Sequence, residues 1–151
     1  MDEKPAIASR KRRMSVLARS SSKALAQRWA ELGLNPVSAP LRGPETGLIM
    51  LRGRVGGVGE AFNVGEATVT RASVKLEDGA IGHAMVLGRD GAKARLCAVI
   101  DALCQSIVMG KMIDAGVIDP LERELDAADA RKAEQTAATR VDFFTMVRGE
   151  D

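Results

Sequence analysis

The sequence predicts an α+β domain: an antiparallel sheet of three to four strands with helices packed on it, a two-helix N-terminal piece and an extended C-terminal tail. Three observations carry that prediction. Apolar residues alternate with period two across residues 48–55, and Thr- and Val-rich strand patterns follow at 67–76 and 80–87. Asp78-Gly79 joins the last two segments, and this dipeptide is a strong hairpin signal. From residue 92 onward the period becomes helical, with Leu96, Ile100, Leu103 and Ile107 on one stripe.

Taken in order, residues 1–9 read as a disordered tip and 10–151 as a single domain. Arg10 to Arg19 is basic with a helical pattern, offering Met14, Val16, Leu17 and Ala18 for packing. Ser20–Ser22 offers an N-cap for a second helix, Lys23–Leu32, with Leu25, Trp29 and Leu32 on one side and Gly33 as its stop. Two short helices with a serine turn resemble a helix-turn-helix. The turn lacks a glycine, however, and nothing marks the second helix as a base reader.

After Asn35-Pro36 and Pro40 comes the first strand, Leu48–Val55, with Ile49, Leu51 and Val55 on one face and Met50, Arg52 and Arg54 on the other. If Asp78-Gly79 is a two-residue loop, Leu76 faces Ile81, Val74 faces His83 and Ala72 faces Met85, which places His83 in an apolar face. A long helix over Ala92–Ala115 should end at Gly116. Asp119-Pro120 with Glu122 resembles a capped start for the next helix, whose apolar face is thin enough to imply a partner. Val141 to Val147 reads as an extended tail, and its adjacent Phe143 and Phe144 are expected at an interface.

Composition removes whole classes of chemistry. The chain has 151 residues, enough for one domain with a real core. One histidine cannot build a His-based metal site or an acid–base pair, and 3% aromatics with no tyrosine leave little for stacking bases. Cys97 and Cys104 sit at helical rather than metal or redox spacing, so reduced buried thiols are expected. No apolar run follows the basic cluster, and none reaches membrane length, so a cytoplasmic protein is expected. Charge is uneven: residues 1–75 carry 13 Lys/Arg against 6 Asp/Glu, while residues 76–151 carry 9 against 14. An anionic partner, two solvated faces of opposite sign, or self-association would each fit that split.

The segment from Pro44 to Arg71, rich in glycine and arginine, fails the tests for known phosphate loops. No Walker string occurs, and the dinucleotide pattern from Gly57 and Gly59 meets Phe62 where its third glycine belongs. Glycines joining two strands there serve a turn. Arg52, Arg54 and Arg71 are candidate substrate-binding residues, because grouped guanidinium ions hold phosphate or phosphonate bidentately. An interface role for them stands equally open. No carboxylate pair has diagnostic spacing, and no catalytic residue, metal or cofactor is indicated.

At these residues the chain resembles the PhnG family of the bacterial carbon–phosphorus lyase system. Pro44-Glu45-Thr46-Gly47-Leu48 and the run from Arg54 through Gly56, Gly57, Gly59, Phe62, Gly65 and Glu66 to Thr70-Arg71 carry the likeness. Val86-Leu87-Gly88-Arg89-Asp90, Ala98 to Leu103 and Arg140 to Gly149 add to it. The resemblance implies a subunit of alpha-D-ribose 1-methylphosphonate 5-triphosphate synthase, a transferase complex that displaces adenine from ATP with alkylphosphonate. It implies PhnH, PhnI, PhnJ and PhnL as partners, two copies per core complex and no activity in the isolated chain, while hydropathy and composition lead to the expectation of no membrane and no specific nucleic acid. The alternative is a free-standing anion- or nucleic-acid-binding regulator that uses Arg10–Arg13 and the sheet arginines.

Overall fold

Helices α1 (Glu3–Arg19) and α2 (Ser22–Leu32) open a computed structural model that describes residues 3–139. The tail from Val141, with Phe143 and Phe144, lies outside the described residues. Helix α1 already begins at Glu3, so most of the stretch expected as a disordered tip is helical. Ala6 and Ala8 favour helix, and Pro5 falls in the first turn, where a missing N–H breaks no intrahelical bond. Ser21 caps α2 by accepting from Ala24 N at 3.1 Å, and Gly33 ends it at φ 67°. Lys93 Nζ donates to the carbonyls of Ala18 and Ser20 at 2.8 and 2.6 Å, placing a cation at the C-terminal end of α1.

Strands β1 (Ser38–Arg54), β2 (Ala61–Leu76) and β3 (Ile81–Leu87) form one antiparallel sheet in the order β1-β2-β3. β1 starts ten residues before the expected Leu48 and runs through Pro40 and Pro44. Proline is tolerated because β1 is an edge strand, and the pairing register shifts around both residues.

The hairpin differs from the two-residue expectation. Leu76 N donates to Ala80 O at 2.9 Å, Gly79 N to Leu76 O at 3.0 Å, and Gly79 sits at φ 90°. Glu77, Asp78 and Gly79 therefore make a three-residue loop with glycine in the left-handed position. The register moves by one: Val74 opposes Gly82 and Ser73 opposes His83. A one-residue slip reverses every side chain of β3. Ala72, Val74 and Leu76 with Gly82, Ala84 and Val86 form the buried face, and His83 is exposed on the other.

Helix α3 (Gly91–Leu103) covers the buried face, and Asp90 caps it by accepting from Lys93 N at 2.8 Å. Contact is close at Gly82, where a Cβ would stand 1.9 Å from Ala98 O. The expected single helix 92–115 is broken at residues 104–106. Ser106 then caps α4 (Ile107–Ile113), which continues through a π segment (Asp114–Ile118) into α5 (Asp119–Ala138). Gly116 therefore stops nothing, and Asp119 is no cap, since Ile118 before it is already helical. Pro120 has no N–H to give the ladder, which accounts for wider winding just before it. Leu17, Leu25, Val74, Ile100, Ile113, Ile118 and Leu121 meet in the core between helices and sheet. No described helix is long and apolar enough to cross a membrane.

Candidate functional site

β3 pairs only with residues 69–75 of β2, whereas β1 and β2 remain paired out to Arg54 and Ala61. Eight residues of ribbon beyond the third strand make an arm roughly 26 Å long, at about 3.3 Å per residue. Its apolar side chains lie open: Leu48 is 63% exposed, Val55 67% and Val58 92%, with Met50, Leu51, Phe62 and Val64 also exposed. Adjacent strand residues point to opposite faces, so exposure of both Met50 and Leu51 means that neither face is covered here. On the face of Ile49, Leu51 and Val55, Leu51 and Val55 are exposed and Ile49 is half-buried. A two-stranded ribbon is marginal alone and gains stability by packing on another surface.

The glycine cluster forms the arm's tip. Val55–Gly57 is a short 3-10 turn with Gly56 and Gly57 at φ 57° and 82°, and Gly59 N donates to Val55 O at 2.8 Å. Arg54 Nη1 donates to Gly59 O at 3.1 Å, bracing the turn. Arg52 and Arg54 stand at this distal end. Arg71 stands at the root, ten residues along β2 from the partner of Arg54, or about 33 Å. The three arginines expected as a group are thus not brought together. Arg71 pairs across the strands with Glu45 at 3.2 Å, and Arg42 approaches the same carboxylate at 3.5 Å.

The N-terminal arginines are committed elsewhere. Arg10 grips Asp101, Arg13 grips Asp114 and Arg12 spans Asp119 and Glu122, while Arg19 meets Asp129 and Arg28 meets Glu124. Side-chain hydrogen bonds to these carboxylates, above all other causes, raise the pKa of Arg10, Arg12, Arg13 and Arg28. The sequence's charge split is therefore partly internal complementarity: basic α1 and α2 are stitched to Asp101 of α3, Asp114 of the π segment and acidic α5. This internal pairing differs from an anionic partner, two solvated faces or self-association, the arrangements expected from the charge split. Opposite-sign totals in the two halves were the available signal.

His83 is not the core histidine expected. Its Nδ1 lies 2.8 Å from Ser73 Oγ on the outer sheet face. Burial pushes the Cys97 and Cys104 thiols up to about 11, so neither is poised as a nucleophile. Asp90, accepting from Ser22 Oγ and Lys93 N, is held below the usual carboxylate range. Among the described residues no group of His, Cys, Asp and Glu could hold a metal ion.

Two comparisons bear on this arrangement. A family model described as "Phosphonate metabolism protein PhnG" matches residues 8–149. A protein of Rhizobium meliloti (strain 1021), named "Alpha-D-ribose 1-methylphosphonate 5-triphosphate synthase subunit PhnG", is 52% identical over 145 residues, covering 96% of this chain and 92% of that relative.

Proposed function

The chain belongs to the PhnG family of phosphonate metabolism proteins, and from that premise we propose that it works as a non-autonomous subunit of an alpha-D-ribose 1-methylphosphonate 5-triphosphate synthase. The observation that carries this reading is the arm: a ribbon with large apolar side chains open on both faces. Such a surface fits a permanent assembly, whose interfaces resemble a core cut in half. In this reading the complex, located in the cytoplasm, is a transferase that displaces adenine from ATP with alkylphosphonate. Its sister subunits are of the PhnH, PhnI, PhnJ and PhnL types, with two copies of this chain per core, and the isolated chain has no turnover.

Arg52 and Arg54 at the tip and Arg71 at the root are offered as residues that meet either substrate phosphates or a sister subunit. Phe143 and Phe144 are offered as interface residues. The regulator reading loses its main support, because Arg10, Arg12 and Arg13 already have carboxylate partners. Coexpression with the sister subunits tests the proposal. Copurification with them, together with no adenine release from ATP by the isolated chain, is expected; robust release by the isolated chain overturns it.

A further inference from the structure

The sheet root holds a mainly apolar groove whose polar lining is Arg42, Arg71, Ser73 and His83, and of these only Arg71 has been given a role above. Met14, Arg42, Arg71, Ser73, His83 and Met85 line it. The pairing explains the cluster. Arg42 opposes Ser73, which opposes His83, making one row across all three strands; Glu45, Arg71 and Met85 make the next row. Rows two residues apart are about 7 Å from each other, and strands about 4.8 Å, so these side chains are close neighbours at the sheet root. The hairpin's three-residue loop is what brings His83 here.

Both guanidinium groups turn toward a single carboxylate. Arg71 Nε and Nη2 lie 3.2 Å from Glu45 Oε2, and Arg42 Nε lies 3.5 Å from the same oxygen. Two cations share one anion, which leaves a net positive charge and unused N–H donors. Ser73 and His83 form the adjoining wall, and among the described residues His83 Nε2 has no partner. Arginine recognises phosphate-like groups through forks of parallel N–H donors on separate oxygens, and the N–H groups of Arg42 and Arg71 not directed at Glu45 Oε2 remain for such a ligand.

We propose that this groove binds a tetrahedral oxyanion of the phosphate or phosphonate class between Arg42 and Arg71, against the Ser73–His83 pair, with Glu45 holding the two arginines in place and competing with the ligand. The proposal turns the role offered above for Arg71 into a defined site, and methylphosphonate as a ligand rests on the family reading.

His83 is the only histidine in the chain, so its imidazole signals in an NMR spectrum of the full chain are a self-assigned reporter. Titration with inorganic phosphate and, separately, methylphosphonate should move them saturably; the tighter of the two identifies the source of the oxyanion. Arg71→Gln should weaken binding about tenfold, the loss of one charge-assisted contact. Glu45→Gln, which removes the competing carboxylate, should strengthen it, and this variant decides the matter if Arg71→Gln does not fold. Lys132→Gln on α5, which removes the same charge elsewhere, should change nothing. The proposal is overturned by the absence of a saturable shift, by equal shifts in wild type and Arg71→Gln, or by the same response to chloride at matched ionic strength. None of these outcomes touches copurification with sister subunits, so the two readings fail separately.

Discussion

Arg10 and Asp101 form a bidentate ion pair, with Nε–Oδ1 and Nη2–Oδ2 both 2.8 Å, and the same carboxylate accepts from His83 N at 2.9 Å. One side chain of α3 thereby ties α1 to the edge of β3. Asp101 is only 5% exposed, so its charge relies on those three donors. Asp101→Ala should cost about 3 kcal/mol, because it strands a guanidinium and a strand N–H. Arg12→Ala, at an exposed pair, should cost about 1 kcal/mol or less. Urea unfolding of both variants measures the difference.

The contact between Gly82 and α3 makes a second prediction. A Cβ there would stand 1.9 Å from Ala98 O and 2.5 Å from Ala102 N, both backbone atoms that cannot rotate away. Gly82→Ala should therefore destabilise the chain by about 3 kcal/mol or more, at or beyond the usual limit of overpacking. Gly65→Ala, in the open arm with nothing within 4 Å, should fold normally. Thermal melts of the two variants provide the comparison.

The thiols should be slow to react. At about 11, Cys97 and Cys104 carry little thiolate at pH 8. Alkylation by iodoacetamide in the folded chain should run about two orders of magnitude slower than for free cysteine, whose pKa is about 8.5. Denaturant should restore the ordinary rate.

Acid should weaken the fold through the cap of α3. Asp90 has a lower pKa folded than unfolded, so its contribution is present above the unfolded value of about 3.9. It is lost as pH falls through the depressed folded value. Glu122, lowered by its hydrogen bonds with Arg12, acts in the same direction. Stability measured from pH 6 to pH 2 should fall less steeply in Asp90→Asn than in the wild type.

Much of the fold was legible because local signals agreed with tertiary ones: Gly33 stops α2, Asp78-Gly79 turns the hairpin, and the α3 stripe meets the sheet. The register was not legible. Two- and three-residue loops share the Asp-Gly signature, and the choice between them decides which face His83 joins. The break at residues 104–106 was hidden because Ile107 and Val108 continue the apolar period, yet both are exposed. Pairing of Arg10, Arg12 and Arg13 with α3, the π segment and α5 spans about a hundred residues of sequence, and no local pattern encodes it. The arm's openness was equally hidden, since alternation reads the same whether or not another layer covers the strand.

The proposed subunit role makes the arm a docking element rather than part of this chain's own core. Val58→Asp and Phe62→Asp place charge on it, and because both positions are exposed the isolated variants should unfold like the wild type. The direct measurement is size-exclusion of each variant after coexpression with the sister subunits. Loss of the variant from the complex fraction, with an unchanged melt, is the predicted result. Full incorporation of both variants at wild-type stoichiometry would contradict the account.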